Sequence, residues 1–124
     1  NNCKVVKKNS KISKFVLMNS KYQCAADNTH TTFTTAKGVP YMEGHHLIPC
    51  TYRNAQNFWK TKGRNIDCVE NIVCLCPTCH RKIHFGSSDE KRKLIKLLYE
   101  KQIEKLSDAN IAISLNELYT YYGL

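Results

Sequence analysis

Histidine and cysteine are concentrated in one part of the chain, and this clustering limits the possible folds more than any other feature of the sequence. Four of the five histidines lie between residues 41 and 86, and the fifth, His30, lies just upstream. The same stretch contains Cys76 and Cys79, two thiols at a spacing that lets both bind one zinc ion. Histidines scattered over a surface would not cluster in this way, so we expect this region to build a site.

A short helix over about residues 77–85 is predicted to carry part of that site. His80 and His84 are four residues apart, so on a helix they share one face and can offer two imidazoles to one metal ion. Pro77 suits the first turn, because its missing N–H would be unpaired there in any case. Gly86 suits the end of the helix.

Three stretches are predicted to be strands, and the first of them contains the histidine pair. Residues 39–48 are β-prone, residues 72–75 are a short apolar run, and residues 33–37 would form a strand between turns. Neighbouring side chains on a strand point to opposite faces, so His45 and His46 cannot both face the same way. One of them can bind a metal ion while the other faces water or a phosphate.

These residues resemble the HNH endonuclease family, also called the ββα-metal nucleases, and in particular its restriction-endonuclease-like branch with a structural zinc. The family has a histidine pair on the first strand, an asparagine before the second and a histidine on the following helix. In this chain the pattern reads His45-His46, Asn71 and His80, with His84 one turn further on. The resemblance covers about residues 22–86. It implies an α+β fold, with a small ββα-metal (His-Me finger) core stabilised by a zinc site and flanking helices at both ends.

The resemblance also implies an activity, the metal-dependent hydrolysis of DNA phosphodiester bonds by the nuclease domain of a restriction or phage-defence protein. His46 would be the general base that activates water, and Asn71 would orient it by hydrogen bonding near it. A divalent catalytic ion (Mg²⁺, Mn²⁺, Ni²⁺ or Zn²⁺) would be held by His45, His80 and His84. The alternative is a non-catalytic zinc-containing DNA-binding module, which would need the cysteines but neither His46 nor Asn71.

A structural zinc site is expected beside the catalytic residues. Most zinc-bearing members of the family have a second Cys-x-x-Cys upstream, where this chain has Cys24-x-x-Asp27 followed by His30. Structural zinc accepts Cys and His more readily than carboxylate. We therefore expect Cys24, His30, Cys76 and Cys79 as ligands, with Asp27 as the alternative to His30. The other interpretation of Cys24 is a buried thiol that binds no metal.

The charge of the chain indicates a nucleic-acid partner. The net charge is +9 and the pI is about 9.3, an excess that favours binding to a polyanion. Residues 50–68 interleave aromatic side chains with cations, which suits base stacking and phosphate contact. The alternative for this segment is a short helix that Phe58 and Trp59 anchor to the core. The candidate DNA-binding residues are Arg53, Lys60, Lys62, Arg64, Arg81 and Lys82.

The two ends of the chain are predicted to be helical. We divide the chain into a basic N-terminal helix or linker at 1–21, the nuclease core at 22–86 and a C-terminal helical extension at 87–124. The first helix would span about 9–20, with Ser10 as its N-cap.

In the extension, a helix would span about 89–106, with Ser87 and Glu90 at capping-box spacing. A second box at Ser114 and Glu117 would start a last helix through Tyr122. The tyrosines at 119, 121 and 122 are predicted to serve packing.

Other sequence features bear on the compartment and the completeness of the chain. No run of about 18 apolar residues and no signal-peptide pattern occurs, so we expect a soluble cytoplasmic protein. The seven cysteines are an odd number, and three lie within residues 74–79, which favours metal thiolates over a disulfide framework. The chain begins without Met, as a fragment would, and a fused or associated recognition domain could supply sequence specificity.

Overall fold

A two-stranded antiparallel sheet surrounded by helices forms the structure, a computed structural model that describes residues 9–124. In chain order, the elements are α1 (Ser10–Asn19), β1 (Glu43–His46), α2 (Tyr52–Lys62), β2 (Ile72–Leu75), α3 (Pro77–Phe85), α4 (Ser88–Asp108) and α5 (Leu115–Tyr121). A 3-10 turn, Val69–Asn71, precedes β2. This arrangement confirms the predicted α+β class, with helices before and after the two strands in the sequence.

The sheet is shorter than the sequence suggested. Glu43 lies opposite Leu75 and His46 lies opposite Ile72, so only four residues of the predicted 39–48 strand pair with β2. The predicted strand at 33–37 is wrong, because this segment forms a turn closed by an isolated bridge between Thr34 and Pro40.

The helix boundaries follow local signals. α3 has Cys76 as its N-cap and Pro77 in its first turn, and it stops before Gly86, as predicted. The N-cap of α1 is Asn9, which accepts a hydrogen bond from the Lys11 N–H at 3.0 Å, and not the predicted Ser10.

The C-terminal helices begin at the two predicted caps. Ser87 accepts a hydrogen bond from the Glu90 N–H at 3.2 Å, and α4 extends two residues beyond the predicted end. Ser114 and Glu117 form a complete capping box at the start of α5. α5 ends at Tyr121, one residue earlier than predicted.

The core is apolar and lies between the sheet and the helices. β2 is buried along its whole length, and α4 contributes buried residues at helical spacing: Leu94, Ile95, Leu98 and Leu106. Phe58 anchors α2 to this core at 2% exposure. In the alternative interpretation of this segment Trp59 was a second anchor, and that part is wrong, since Trp59 is 61% exposed. Adjacent helical residues point about 100° apart, so one faces inward and the other outward.

Among the described residues, no helix is both long and apolar enough to cross a membrane.

Gly44 allows α1 to pack closely on β1, and this contact can be tested. A Cβ atom at Gly44 would lie 2.8 Å from the Ser13 Oγ and 3.1 Å from the Ser13 Cβ. Overpacking of this kind costs about 1–3 kcal/mol. The gain of about 0.4–1 kcal/mol from restricting the unfolded chain is smaller. We therefore expect Gly44→Ala to lower the free energy of unfolding, measured by urea denaturation of the metal-loaded protein.

Ser13→Ala provides the matched control for this substitution. It removes the atom nearest to the added methyl group, so the Ser13→Ala/Gly44→Ala double variant should recover part of the lost stability. A Gly44→Ala variant with the denaturation midpoint of the unmodified protein would show that α1 and β1 are not closely packed here.

Candidate metal centres and active site

The start of α3 presents two thiols to one point. Cys76 is the N-cap residue, and its Sγ accepts a hydrogen bond from the Cys79 N–H at 3.4 Å. Both side chains are buried, and together they form one wall of a four-residue cluster with Cys24 and His30. The ligand atoms of this cluster all lie within 4.8 Å of one another.

Two loop residues complete this cluster, which we call the thiol cluster. Cys24 follows α1, and its neighbour Ala25 is tied to the sheet by an N–H···O bond of 2.7 Å to the Cys74 carbonyl. His30 places its Nδ1 at 3.7 Å from the Cys76 Sγ and at 3.4 Å from the Cys79 Sγ. Zinc–ligand bonds of about 2.3 Å to sulfur and 2.0–2.1 Å to nitrogen imply a tetrahedral S···N separation of about 3.6 Å. The thiol cluster could therefore hold zinc.

Asp27, the alternative to His30, lies beside this cluster and not in it. Its Oδ1 accepts hydrogen bonds from the Thr29 N–H at 2.9 Å and the Thr29 hydroxyl at 2.6 Å, which closes a tight turn. Its Oδ2 lies 3.9 Å from the Nε2 of His30. The structure thus brings His30 to the thiols, with the carboxylate of Asp27 behind the imidazole.

The thiols of the cluster cannot all ionise unless a positive charge compensates them. Burial, together with the neighbouring Cys24, raises the pKa of Cys79 to about 12. Burial also tends to raise the pKa of Cys24, but hydrogen bonds from the backbone of Cys76 and Asp27 lower it to about 7. Thiolates at this spacing repel one another, and a bound cation removes that repulsion. This is the chemistry expected of a metal-binding set.

Three histidines meet in a second cluster, the histidine cluster. His45 comes from β1, while His80 and His84 come from successive turns of α3, and their ligand atoms lie within 4.8 Å of one another. His45 is buried and His84 is exposed, so the cluster opens to solvent on the side of α3. The Nε2 atoms of His80 and His84 are 3.2 Å apart.

The contact of His80 with a carboxylate determines which nitrogen is free. Its Nδ1 lies 2.6 Å from the Glu43 Oε1, and the other oxygen of Glu43 accepts a hydrogen bond from the Tyr41 hydroxyl at 2.7 Å. Hydrogen bonds from Tyr41 and then His80 lower the pKa of Glu43, so it is a carboxylate and the Nδ1 of His80 must donate. In the neutral ring the Nε2 of His80 then carries a lone pair, and it lies 3.2 Å from the Nε2 of His84, a separation that suits a shared cation.

His45 is the most enclosed of the three imidazoles. It is 5% exposed, and burial followed by the proximity of His80 and His84 lowers its pKa to about 3. The ring is therefore neutral near pH 7 and can bind a cation through one nitrogen. Its Nε2 lies 2.8 Å from the hydroxyl of Tyr122, a residue for which the sequence predicted only packing.

The structure places His46 apart from the histidine cluster, on the opposite face of β1. Its Nε2 lies 2.8 Å from the Oδ1 of Asp67, which is 7% exposed. The Oδ2 of Asp67 accepts a hydrogen bond from the Asn9 N–H at 2.8 Å. Sequence reasoning missed Asp67, although one signal was available, because it is the only acid between Glu43 and Glu70 in a basic stretch.

Asn71 holds the backbone around His46 through its side-chain amide. Its Oδ1 accepts a hydrogen bond from the Ile48 N–H at 2.8 Å, and its Nδ2 donates to the carbonyls of Ile48 at 3.0 Å and Ile66 at 2.8 Å. An amide side chain can pair in this way with the backbone N–H and the backbone C=O of one residue. Asn71 thus forms its hydrogen bonds near His46 with the backbone, and it joins the segment after His46 to the segment before Asp67.

The candidate DNA-binding residues differ in their surroundings. Five of them are exposed on or near α2 and α3: Arg53, Lys60, Lys62, Arg64 and Arg81. Lys82 is half-buried. Lys62 donates a hydrogen bond to the Ala112 carbonyl at 2.6 Å, and its ammonium lies 5.0 Å from the centre of the Phe58 ring. Part of its function is therefore to tie α2 to the C-terminal region.

Comparison with known proteins identifies the family. A model of the HNH endonuclease family matches residues 24–86, the range that contains both clusters. The chain is 32% identical over 96 residues to the type IV methyl-directed restriction enzyme EcoKMcrA of Escherichia coli (strain K12), an alignment that covers 77% of this chain and 30% of that protein. The solved structure of the type IV phosphorothioation-dependent restriction endonuclease ScoMcrA has the same fold, with a TM-score of 0.56 and 22% identity over 82% of this chain and 20% of that one. The chain therefore belongs to the HNH endonuclease family.

Proposed function

We propose that this chain is the nuclease domain of a DNA restriction system and that it hydrolyses DNA phosphodiester bonds with the help of a divalent ion. The observation that carries this proposal is the convergence of His45, His80 and His84 from β1 and α3, next to a separate thiol cluster. The matching family and the restriction enzymes among the relatives support it. Because the chain covers 30% or less of each relative, the recognition of particular DNA would depend on further parts of the protein.

The two clusters suit two ions of different function. The buried Cys24, Cys76 and Cys79 with the exposed His30 form a set of four protein ligands, the kind that holds a structural zinc. The histidine cluster is open to solvent and would hold Mg²⁺, Mn²⁺, Ni²⁺ or Zn²⁺, with imidazole donors favouring the softer ions. When bound, such an ion supplies positive charge that stabilises the charge developing on the phosphate and on the departing oxygen.

His46 is proposed as the general base. The carboxylate of Asp67 accepts the Nε2–H of the ring, which leaves the lone pair on Nδ1 to take a proton from the attacking water. As the ring gains that proton it becomes an imidazolium, and the buried carboxylate stabilises its charge and holds its orientation. Asn71 supports both partners, because its side-chain amide hydrogen-bonds to Ile48, two residues after His46, and to Ile66, directly before Asp67.

DNA is proposed to lie along the basic, aromatic surface of α2 and α3. Trp59 is 61% exposed and Tyr52 is 37% exposed, so both rings are available for stacking. The exposed Arg53, Lys60 and Arg81 can contact phosphates. The net charge of +9 adds a long-range attraction for DNA.

The assignment of the base predicts a large loss of cleavage in His46→Ala. General-base catalysis contributes about 10²–10⁴-fold, so relaxation of supercoiled plasmid in the presence of Mn²⁺ should slow by that factor. Asp67→Asn should slow cleavage in the same direction, because an amide cannot stabilise the imidazolium as a carboxylate does. Circular dichroism and DNA binding serve as controls for folding, and cleavage by His46→Ala within tenfold of the unmodified protein would contradict the assignment.

The thiol cluster predicts about one tightly bound zinc per chain, measured by elemental analysis of protein purified without added metal. Cys79→Ser should lose zinc and unfold, because a structural zinc contributes folding free energy directly. His30→Ala should lose zinc more readily than Asp27→Ala, which serves as the matched control. The reverse order would make Asp27 the fourth ligand, and a folded, zinc-free Cys79→Ser variant would show that the cluster is not structural.

The different exposure of the two clusters predicts that their ions can be removed separately. Brief treatment with EDTA should stop plasmid cleavage, while the zinc content and the helical circular dichroism persist, and added Mn²⁺ or Mg²⁺ should restore cleavage. His80→Ala should reproduce this state, being folded, zinc-loaded and inactive. Loss of zinc and unfolding in His80→Ala would instead assign His80 to the structural site. A metal-loaded, unmodified chain that binds DNA without cutting it would favour the non-catalytic module.

A further inference from the structure

The C-terminal helix α5 lies outside the residues that match the family, yet it reaches the histidine cluster. The match ends at residue 86, whereas Tyr122, at the C-terminal cap of α5, is 77 residues from His45 in sequence. The two side chains meet with the His45 Nε2 at 2.8 Å from the tyrosine hydroxyl. This contact joins the extension to a residue that we propose binds the catalytic ion.

The direction of the hydrogen bonds at Tyr122 follows from its second partner. The hydroxyl also contacts the Leu47 carbonyl oxygen, which can only accept. A phenol has one proton, so Tyr122 donates it to Leu47 and offers a lone pair to His45. The Nε2 of His45 must then carry the N–H that completes the contact. The remaining nitrogen, Nδ1, is left with a free lone pair.

We propose that Tyr122 is a positioning residue that holds His45 in the tautomer whose Nδ1 is free to bind a divalent cation, so that α5 completes the metal site. The inference rests on the proposed function and adds a residue to it. Glu43 has the equivalent relation to His80, since it accepts the proton of Nδ1 and leaves Nε2 free. Two imidazoles of the cluster would thus be fixed by hydrogen bonds before an ion arrives, as is usual for histidine ligands.

The end of α5 is built to hold Tyr122 in place. Leu118 is completely buried, and the capping box of Ser114 and Glu117 secures the start of the helix. Gly123 follows with a φ of +73°, in the left-handed region, and the Leu124 N–H donates to the Tyr119 carbonyl at 3.0 Å. The chain therefore turns directly after Tyr122, which fixes the last turn of the helix around it.

Tyr122→Phe tests the inference because it removes the hydroxyl and keeps the ring. Outer hydrogen-bond partners of metal ligands typically contribute about 10–100-fold to affinity, so Mn²⁺ binding by the zinc-loaded protein should weaken by that factor in calorimetry. Tyr119→Phe is the matched control: it removes a hydroxyl on the same helix, bonded to the Arg92 carbonyl at 3.3 Å, and should leave Mn²⁺ affinity unchanged.

The tautomer of His45 provides a second measurement that needs no variant and no activity. Nitrogen-15 NMR of the unmodified, zinc-loaded protein without added Mn²⁺ should show His45 protonated at Nε2, and Tyr122→Phe should show a mixture of tautomers. An Nδ1-protonated His45 in the unmodified protein, or unchanged Mn²⁺ affinity in Tyr122→Phe, would overturn this inference alone. No Mn²⁺ binding by the unmodified protein would contradict both this inference and the proposed function.

Discussion

The structure depends on one helix that contributes residues to two sites. α3 presents Cys79 to the thiol cluster and the next residue, His80, to the histidine cluster. Adjacent helical residues point about 100° apart, which separates the two sets of donors without separating them in sequence. The position of α3 is fixed at its start by Cys76 and along its length by the buried Ile83. Whatever holds the thiols in place therefore also sets the distance between the histidines and β1.

Around this helix, three imidazoles are restrained by hydrogen-bond partners: His80, His46 and His45. The partners come from three different parts of the chain. Glu43 lies on β1, Asp67 lies in the loop before β2 and Tyr122 lies at the end of α5. The buried amide of Asn71 hydrogen-bonds to backbone and joins two of the segments involved. Among residues 9–124, no buried side-chain nitrogen or oxygen lacks a hydrogen-bond partner. A site whose groups are already paired requires little reorganisation when substrate binds.

Features with local causes could be predicted from the sequence, and features with distant causes could not. The bounds of α3 follow from Pro77 and Gly86, which lie within the helix or next to it. The tie of His46 to Asp67 spans 21 residues, and that of His45 to Tyr122 spans 77, so no spacing rule indicates either contact. The choice between His30 and Asp27 needed the turn at Thr29, which gives the carboxylate other partners. Which of the adjacent Phe58 and Trp59 anchors α2 depends on how the helix packs, since both rings are apolar and point about 100° apart.

The sharing of α3 also has a consequence for how this domain can change over time. One residue inserted between Cys79 and His80 would rotate both α3 histidines by about 100° relative to the thiols, although every ligand would still be present. A deletion there would rotate them in the opposite direction. Substitutions on the exposed face of the helix have no such effect. The length of the nine-residue segment from Cys76 to His84 is therefore constrained more strictly than its composition.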